Sequence, residues 1–142
     1  SPSKGSVEYC KPNLQVSYLG HKNAIKHYLT PIQNLELIFG SSALQNAMKW
    51  MNTLGLNNVQ DELTANLSFG QQKKLALIRI FASESDLIVL DEPFVGLDNA
   101  SRDLLNEFLQ KKLASDTSLI LTSHIEPNIL CSELVLSGDT DD

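Results

Sequence analysis

Cysteine is scarce in this chain, and no cysteine pattern gives it a metal or redox role. Cys10 and Cys131 are the two cysteines, they lie near opposite ends, and no CxxC occurs. A disulfide framework and a zinc site are therefore excluded, and the plain reading is two reduced thiols in a reducing compartment. Long apolar runs are missing too. None approaches the roughly 20 residues that cross a bilayer, so if the chain serves transport another subunit supplies the pore. No signal peptide is visible at the start. Positive charge is in the minority, with Lys+Arg 11 against Asp+Glu 17 and a net charge of −6. That excludes nonspecific binding to nucleic acid, which needs a basic surface. The pairs Lys73-Lys74 and Lys111-Lys112 read as solvated helix faces. There are no coiled-coil heptads, no internal repeats and no low-complexity stretches. Nor is there a GxxxxGK[ST] loop, so the usual phosphate cradle is absent.

What is present suits one compact domain or most of one. The chain has 142 residues, of which 42% are hydrophobic, enough for a real core. Ser1 to Lys11 is polar and turn-rich. Gln15 to Leu19 predicts a short strand ended by Gly20. Thr30-Pro31 opens a helix, with Pro31 in its first turn. Ser42 to Leu54 predicts a second helix, ended by Gly55, with Leu44, Ala47, Met48, Met51 and Leu54 near one face. Residues 23 to 68 hold helices without strands between them, and so read as a helical lobe inserted into an α/β core.

From there helix and apolar strand alternate, the pattern of an α/β fold with a parallel sheet. Gln71 to Ala82 is a helix with a Leu75, Ile78, Phe81 stripe. Leu87 to Leu90 is a strand apolar throughout, as in a parallel sheet covered on both faces. Asn99 to Leu113 is a helix with Leu104, Leu105, Phe108 and Leu109 inward, and Ser118 to Thr122 a buried strand. Pro127 to Cys131 predicts a helical turn, Glu133 to Leu136 a last strand, and residues 138 to 142 an acidic tail. The α/β core thus runs over residues 83 to 136.

Two strings carry the chemistry. LIVLDEP, Leu87 to Pro93, delivers Asp91 and Glu92 to a loop at the carboxyl end of a strand, where ligands bind in open α/β sheets. One carboxylate can bind magnesium, and the next can take a proton from an attacking water. LSFGQQ, Leu67 to Gln72, is a serine and glycine turn opening onto a helix, and such a turn offers backbone N–H groups to a phosphate. His124 follows the neighbouring strand at the same edge, placed to hydrogen-bond a terminal phosphate. Asp98, after the loop Phe94 to Leu97, is placed to orient groups across an interface. Each element alone is ordinary: Asp-Glu-Pro can be a strand stop and helix start, and a lone histidine is most often a surface or capping residue. Order and spacing make the case for nucleotide hydrolysis.

That order resembles the distal part of the ATP-binding-cassette (ABC) ATPases, over Pro2 to Leu136. LSFGQ resembles their signature motif, LIVLDE the Walker B strand with its catalytic glutamate, Gly96-Leu97-Asp98 the D-loop, and Thr122-Ser123-His124 the switch-histidine loop. The resemblance implies a P-loop NTPase-like parallel sheet flanked by helices, with the signature at the end of an inserted helical subdomain. It implies ATP and Mg²⁺ as ligands: Asp91 in the magnesium shell, Glu92 as general base, and His124 on the γ-phosphate. Ser68, Gly70 and Gln71, with Asp98 in the D-loop, would serve ATP shared with the opposing subunit of a head-to-tail dimer. Phe69 stands where the motif usually has a small residue, and its ring is expected to crowd that shared site.

The stretch Ser17 to Leu37 is similar to the ATP-binding subunits of haem exporters in cytochrome c maturation. It has His21 within Tyr18-Leu19-Gly20-His21 where most ABC domains have a glutamine, followed by Leu29-Thr30 and Asn34-Leu35. Asp91 to Phe94 and Gln71-Gln72 are also similar. This implies a nucleotide-side role for His21, integral membrane permease partners, and a peripheral place on the cytoplasmic face of the inner membrane. Other ABC transporter subunits and a non-catalytic ABC-like module are the alternatives. In the family the P-loop lies upstream of a segment resembling Pro2 to Tyr9, and its strand lies between those matching SLILT and ELVL. The chain is thus expected to be a C-terminal part of a longer protein. Alone it is expected neither to bind ATP tightly nor to hydrolyse it, and its unpaired strand edges are expected to make it unstable or associating.

Overall fold

The computed structural model describes residues 4–9 and 11–135. Cys10, Leu136 and the acidic tail lie outside the described residues. The elements follow in the order β1 (Val16–Leu19), α1 (Pro31–Thr53), α2 (Phe69–Phe81), β2 (Leu87–Asp91), α3 (Asn99–Ala114) and β3 (Ser118–Thr122), with short 3-10 turns at Asn57–Val59 and Thr64–Asn66.

The strands form one parallel sheet in the order β1-β2-β3. Asp86 sets the base of this sheet. Its carboxylate accepts from the Lys11 ammonium at 2.7 Å and the Gln15 N–H at 2.9 Å, while its carbonyl accepts the Ser118 N–H at 2.9 Å. With all three strands anchored at one end, their carboxyl ends fall on a common edge.

α1 starts where the sequence predicts, and for the predicted reason. Thr30 and Gln33 form a reciprocal capping box with Pro31 in the first turn. Its end is a Schellman motif: the Gly55 N–H bonds the Asn52 carbonyl and the Leu56 N–H the Met51 carbonyl, with Gly55 at φ 71°. Within α1, Gly40 breaks the helix at φ 61°, ψ −170°. Leu35 on one side of the break and Ala47 and Met51 on the other are all fully buried.

The core lies between one sheet face and the helices, around Leu19, Ile88, Leu90, Leu75, Leu77, Ile80 and Leu105. Trp50 stacks on Phe81 at 4.6 Å, and Phe108 meets Phe81 edge-on at 4.8 Å, so an aromatic cluster ties α1, α2 and α3 together.

Several expectations need correction. Leu87, Val89 and Asp91 on β2 are only half-buried, and β3, expected to be buried, has Ser118, Ile120 and Thr122 exposed, so the sheet is covered on one face rather than both among the described residues. Pro127 to Cys131 forms no helical turn, and Glu133 to Val135 forms no strand. A strand persists only when its backbone groups find a ladder partner, and none pairs with this segment among the described residues. Lys73 is not on a solvated face: it is 3% exposed.

Candidate active site

The parallel register brings the carboxylates and the histidine loop together. Asp91 pairs with Thr122 across the ladder, and the Thr122 hydroxyl donates to Asp91 Oδ1 at 2.6 Å. Glu92 turns out of the strand at φ 47°, a left-handed conformation that non-glycine residues seldom hold. It is kept there by its own N–H, which donates to the Thr122 carbonyl at 3.0 Å and lies 3.3 Å from the Thr122 hydroxyl. The turn aims the Glu92 carboxylate at the next loop. Glu92 Oε2 accepts the His124 N–H at 3.2 Å, and Oε1 lies 3.4 Å from His124 Nε2. The imidazole is 95% exposed and the Glu92 side chain 19%, so the carboxylate sits under a ring open to solvent.

Behind the carboxylates stands Lys73. Burial draws its ammonium pKa down, and the negative charges of Asp91 and Glu92 oppose that. In a helix, Lys73 lies on the face of Gly70 and Leu77, turned inward, about 100° from Lys74. His21 lies two residues beyond β1, whose Leu19 pairs with Leu90, so it stands exposed at the same sheet edge.

Asp91 and the Thr122 hydroxyl offer hard oxygens of the kind magnesium takes. No cluster of three or more His, Cys, Asp or Glu gathers among the described residues. The Asp91 and Thr122 oxygens would suit a magnesium ion, which typically takes one or two protein carboxylates.

The signature-like turn is built separately. Ser68 caps α2: its hydroxyl accepts the Gln71 N–H at 3.2 Å, and its own N–H donates to Gln71 Oε1 at 2.9 Å. Next to it the first turn of α2 packs on the loop after β2. A side chain at Gly70 would place its Cβ 2.7 Å from the Gly96 carbonyl oxygen, and one at Gly96 would collide with the Phe69 ring. Phe69 lies sideways over Gly96 while remaining largely exposed. Asp98 caps α3 through the Ser101 N–H at 2.8 Å and bonds the Lys74 ammonium at 2.6 Å. The Lys74 bond, aided by the Ser101 N–H, holds the Asp98 pKa down at about 2. Among the described residues no hydrogen bond or ion pair joins Ser68, Gly70 or Gln71 to Asp91, Glu92 or His124.

A family model described as ABC transporter matches residues 1–95. The chain belongs to the ABC transporter family. It is 37% identical over 135 residues to the cytochrome c biogenesis ATP-binding export protein CcmA of Idiomarina loihiensis, an alignment covering 94% of this chain and 57% of that protein. Against the protein of the same name in Rickettsia felis the identity is 31%, covering 94% of the chain and 72% of the relative. The chain thus spans between about half and three quarters of the length of these curated relatives. An ATP-binding subunit of an ABC transporter superposes with a TM-score of 0.70 at 24% identity, over 78% of this chain and 49% of the other. The dimeric bacterial ABC transporter cassette MJ0796 gives 0.66 at 20% identity, over 78% and 53%. At these identities the structures establish the ABC ATPase fold, and the expected α/β class stands.

Within this ABC chain the sequence singled out Asp91, Glu92 and His124 and named Thr122 only within the histidine loop, not as the residue that links them. Its signal is register: a hydroxyl in the strand beside Asp91. Lys73 and Lys74 were hidden by their look of an ordinary surface pair.

Proposed function

We propose that this ABC chain carries the catalytic edge and the signature turn of an ATP-hydrolysing transporter subunit, one that drives haem export for cytochrome c maturation. The single observation that carries the hydrolytic reading is the Asp91–Thr122–Glu92–His124 cluster at one sheet edge. Magnesium, when bound, offsets phosphate charge. Asp91 holds it, with the Thr122 hydroxyl fixing the carboxylate. Glu92 accepts the proton of the water that attacks the terminal phosphoryl group. His124 leaves Glu92 to hydrogen-bond that phosphoryl group, and His21 approaches the nucleotide from the end of β1.

Ser68, Gly70 and Gln71, with Asp98 steadying the adjoining loop, serve ATP on a second, head-to-tail subunit. The dimeric state of the cassette MJ0796 supports this. The haem-maturation task rests on the CcmA relatives. It brings integral membrane permeases as partners and a place at the cytoplasmic face of the inner membrane. No described helix is long and apolar enough to cross a membrane.

The test joins the chain to the upstream P-loop segment of a CcmA relative. That protein is expected to hydrolyse ATP, and Glu92→Gln to slow it at least about a hundredfold, the usual share of a general base. A Glu92→Gln variant as fast as its parent removes the proposed base. The 142-residue chain by itself lacks the GxxxxGK[ST] loop and should show no micromolar ATP binding by calorimetry.

A further inference from the structure

Between the end of β1 and the signature turn runs a buried array of polar contacts centred on Asn34, in the first turn of α1. Asn34 is 2% exposed. Its amide oxygen accepts the Lys26 N–H at 2.7 Å. Its Nδ2, with two hydrogens, shares them among the Lys26 carbonyl at 3.0 Å, the Thr30 carbonyl at 3.1 Å and the Thr64 hydroxyl at 3.1 Å. Thr64 is fully buried, and its other polar atoms are engaged as well. Its N–H donates to the Leu29 carbonyl at 2.9 Å, and its carbonyl accepts from Gln72 Nε2 at 3.0 Å. The same Gln72 amide reaches the Leu67 carbonyl at 3.2 Å, and the Ala65 N–H donates to the His27 carbonyl at 3.0 Å.

Buried polar groups with full sets of partners fix one geometry, because every alternative strands a donor or acceptor out of water. Here the fixed geometry joins two segments far apart in sequence. One is the loop 26–30 that follows His21. The other is 64–72, which contains Ser68, Gly70 and Gln71. The carboxylate edge at Asp91 and Glu92 takes no part in the array.

We infer that Asn34 is a positioning residue for the signature turn: through Thr64 and Gln72 it holds Leu67 to Gln71 rigidly against the loop 26–30, so that both move as one piece. The functional half of this inference rests on the proposed role of the turn at ATP; the mechanical half does not.

Hydrogen exchange of the dilute 142-residue chain, read by mass spectrometry, tests the mechanical half. In Asn34→Ala, amides in 26–30 and 64–72 are expected to exchange about tenfold faster, the effect of losing one buried hydrogen-bonded link. Amides of β2 and α3 should keep wild-type protection. Thr64→Val keeps the volume and the backbone bonds, removes only the hydroxyl, and should give a smaller change in the same two segments. It also serves if Asn34→Ala fails to fold. Uniform acceleration, or none in 64–72, overturns the inference. In the P-loop-joined protein Asn34→Ala is expected to lower kcat about tenfold with KM for ATP little changed. If the parent of that pair does not hydrolyse ATP, the functional reading fails while the exchange result stands.

Discussion

Two glycines, Gly70 and Gly96, meet where the first turn of α2 lies on the loop after β2, and each is required by the other's surroundings. A methyl group at Gly70 would press on the Gly96 carbonyl, which is backbone and cannot move aside. Gly96 has φ 80° and also lies under the Phe69 ring. Gly96→Ala is therefore expected to cost about 1–3 kcal/mol in urea unfolding, from backbone strain plus collision. In a Phe69→Ala background the collision disappears and the strain remains, so the cost should fall by about 1 kcal/mol. Equal costs in the two backgrounds would show that the ring does not press on Gly96.

Asp98 gives a second prediction at this scale. Its folded pKa, about 2, lies below the ordinary 3.8, so the unfolded chain takes up a proton first as pH falls. The stabilisation is fully present above about pH 4, and it fades as pH drops towards 2. The side chain is 56% exposed, so the gain is that of an exposed cap, about 1 kcal/mol. Asp98→Ala should lower the melting temperature at pH 6 and converge with wild type as the pH approaches 2. A gap that stays constant with pH contradicts the assignment. Asp98 was legible as a loop carboxylate, but its partner was not: Lys74 is 24 residues earlier, and only the packing of α2 on the loop brings them together.

At the scale of elements, the break in α1 is the informative case. Gly40 holds φ 61° and ψ −170°, a region that only glycine occupies without strain. Straightening the helix there would rotate Leu35 or Met51 away from the core. Gly40→Ala is thus expected to destabilise by about 1–3 kcal/mol without raising helicity in circular dichroism, and a variant as stable as wild type and more helical would remove the break's structural role. Helix ends and strands were legible because their causes are local. Thr30-Pro31 makes a cap, Gly55 a left-handed stop, and Leu87 to Leu90 an apolar run. The misreading of Glu133 to Val135 has the opposite cause. Its apolar residues favour a strand, but strand formation depends on a partner elsewhere in the chain, and residue type does not report one. Lys73 was misread for a related reason: two adjacent lysines look alike in sequence, yet the helix turns one inward and points the other, half-buried, at Asp98.

At the scale of the whole molecule, the sheet has one dry face and one wet face. Leu19, Ile88 and Leu90 are buried, whereas on the other side Tyr18, Val89 and Ile120 form a row in register, with Tyr18 and Ile120 each 58% exposed. Val16 extends this apolar strip, and the outer edge of β3 has no strand partner among the described residues. Parallel strands normally have both faces covered, and an apolar face beside an open edge recruits other chains. The 142-residue chain is therefore expected to self-associate with rising concentration in sedimentation velocity. Ile120→Lys puts a charge in the middle of the strip and should shift the chain towards monomer without loss of helicity. Without ATP, the P-loop-joined protein should be monomeric without that substitution, because a relative of which the alignment covers only 57% has further chain to cover this face. If the 142-residue chain is a concentration-independent monomer, the open face is not a driving surface. If Ile120→Lys leaves association unchanged, the attraction lies elsewhere, and the free edge of β3 becomes the segment to block.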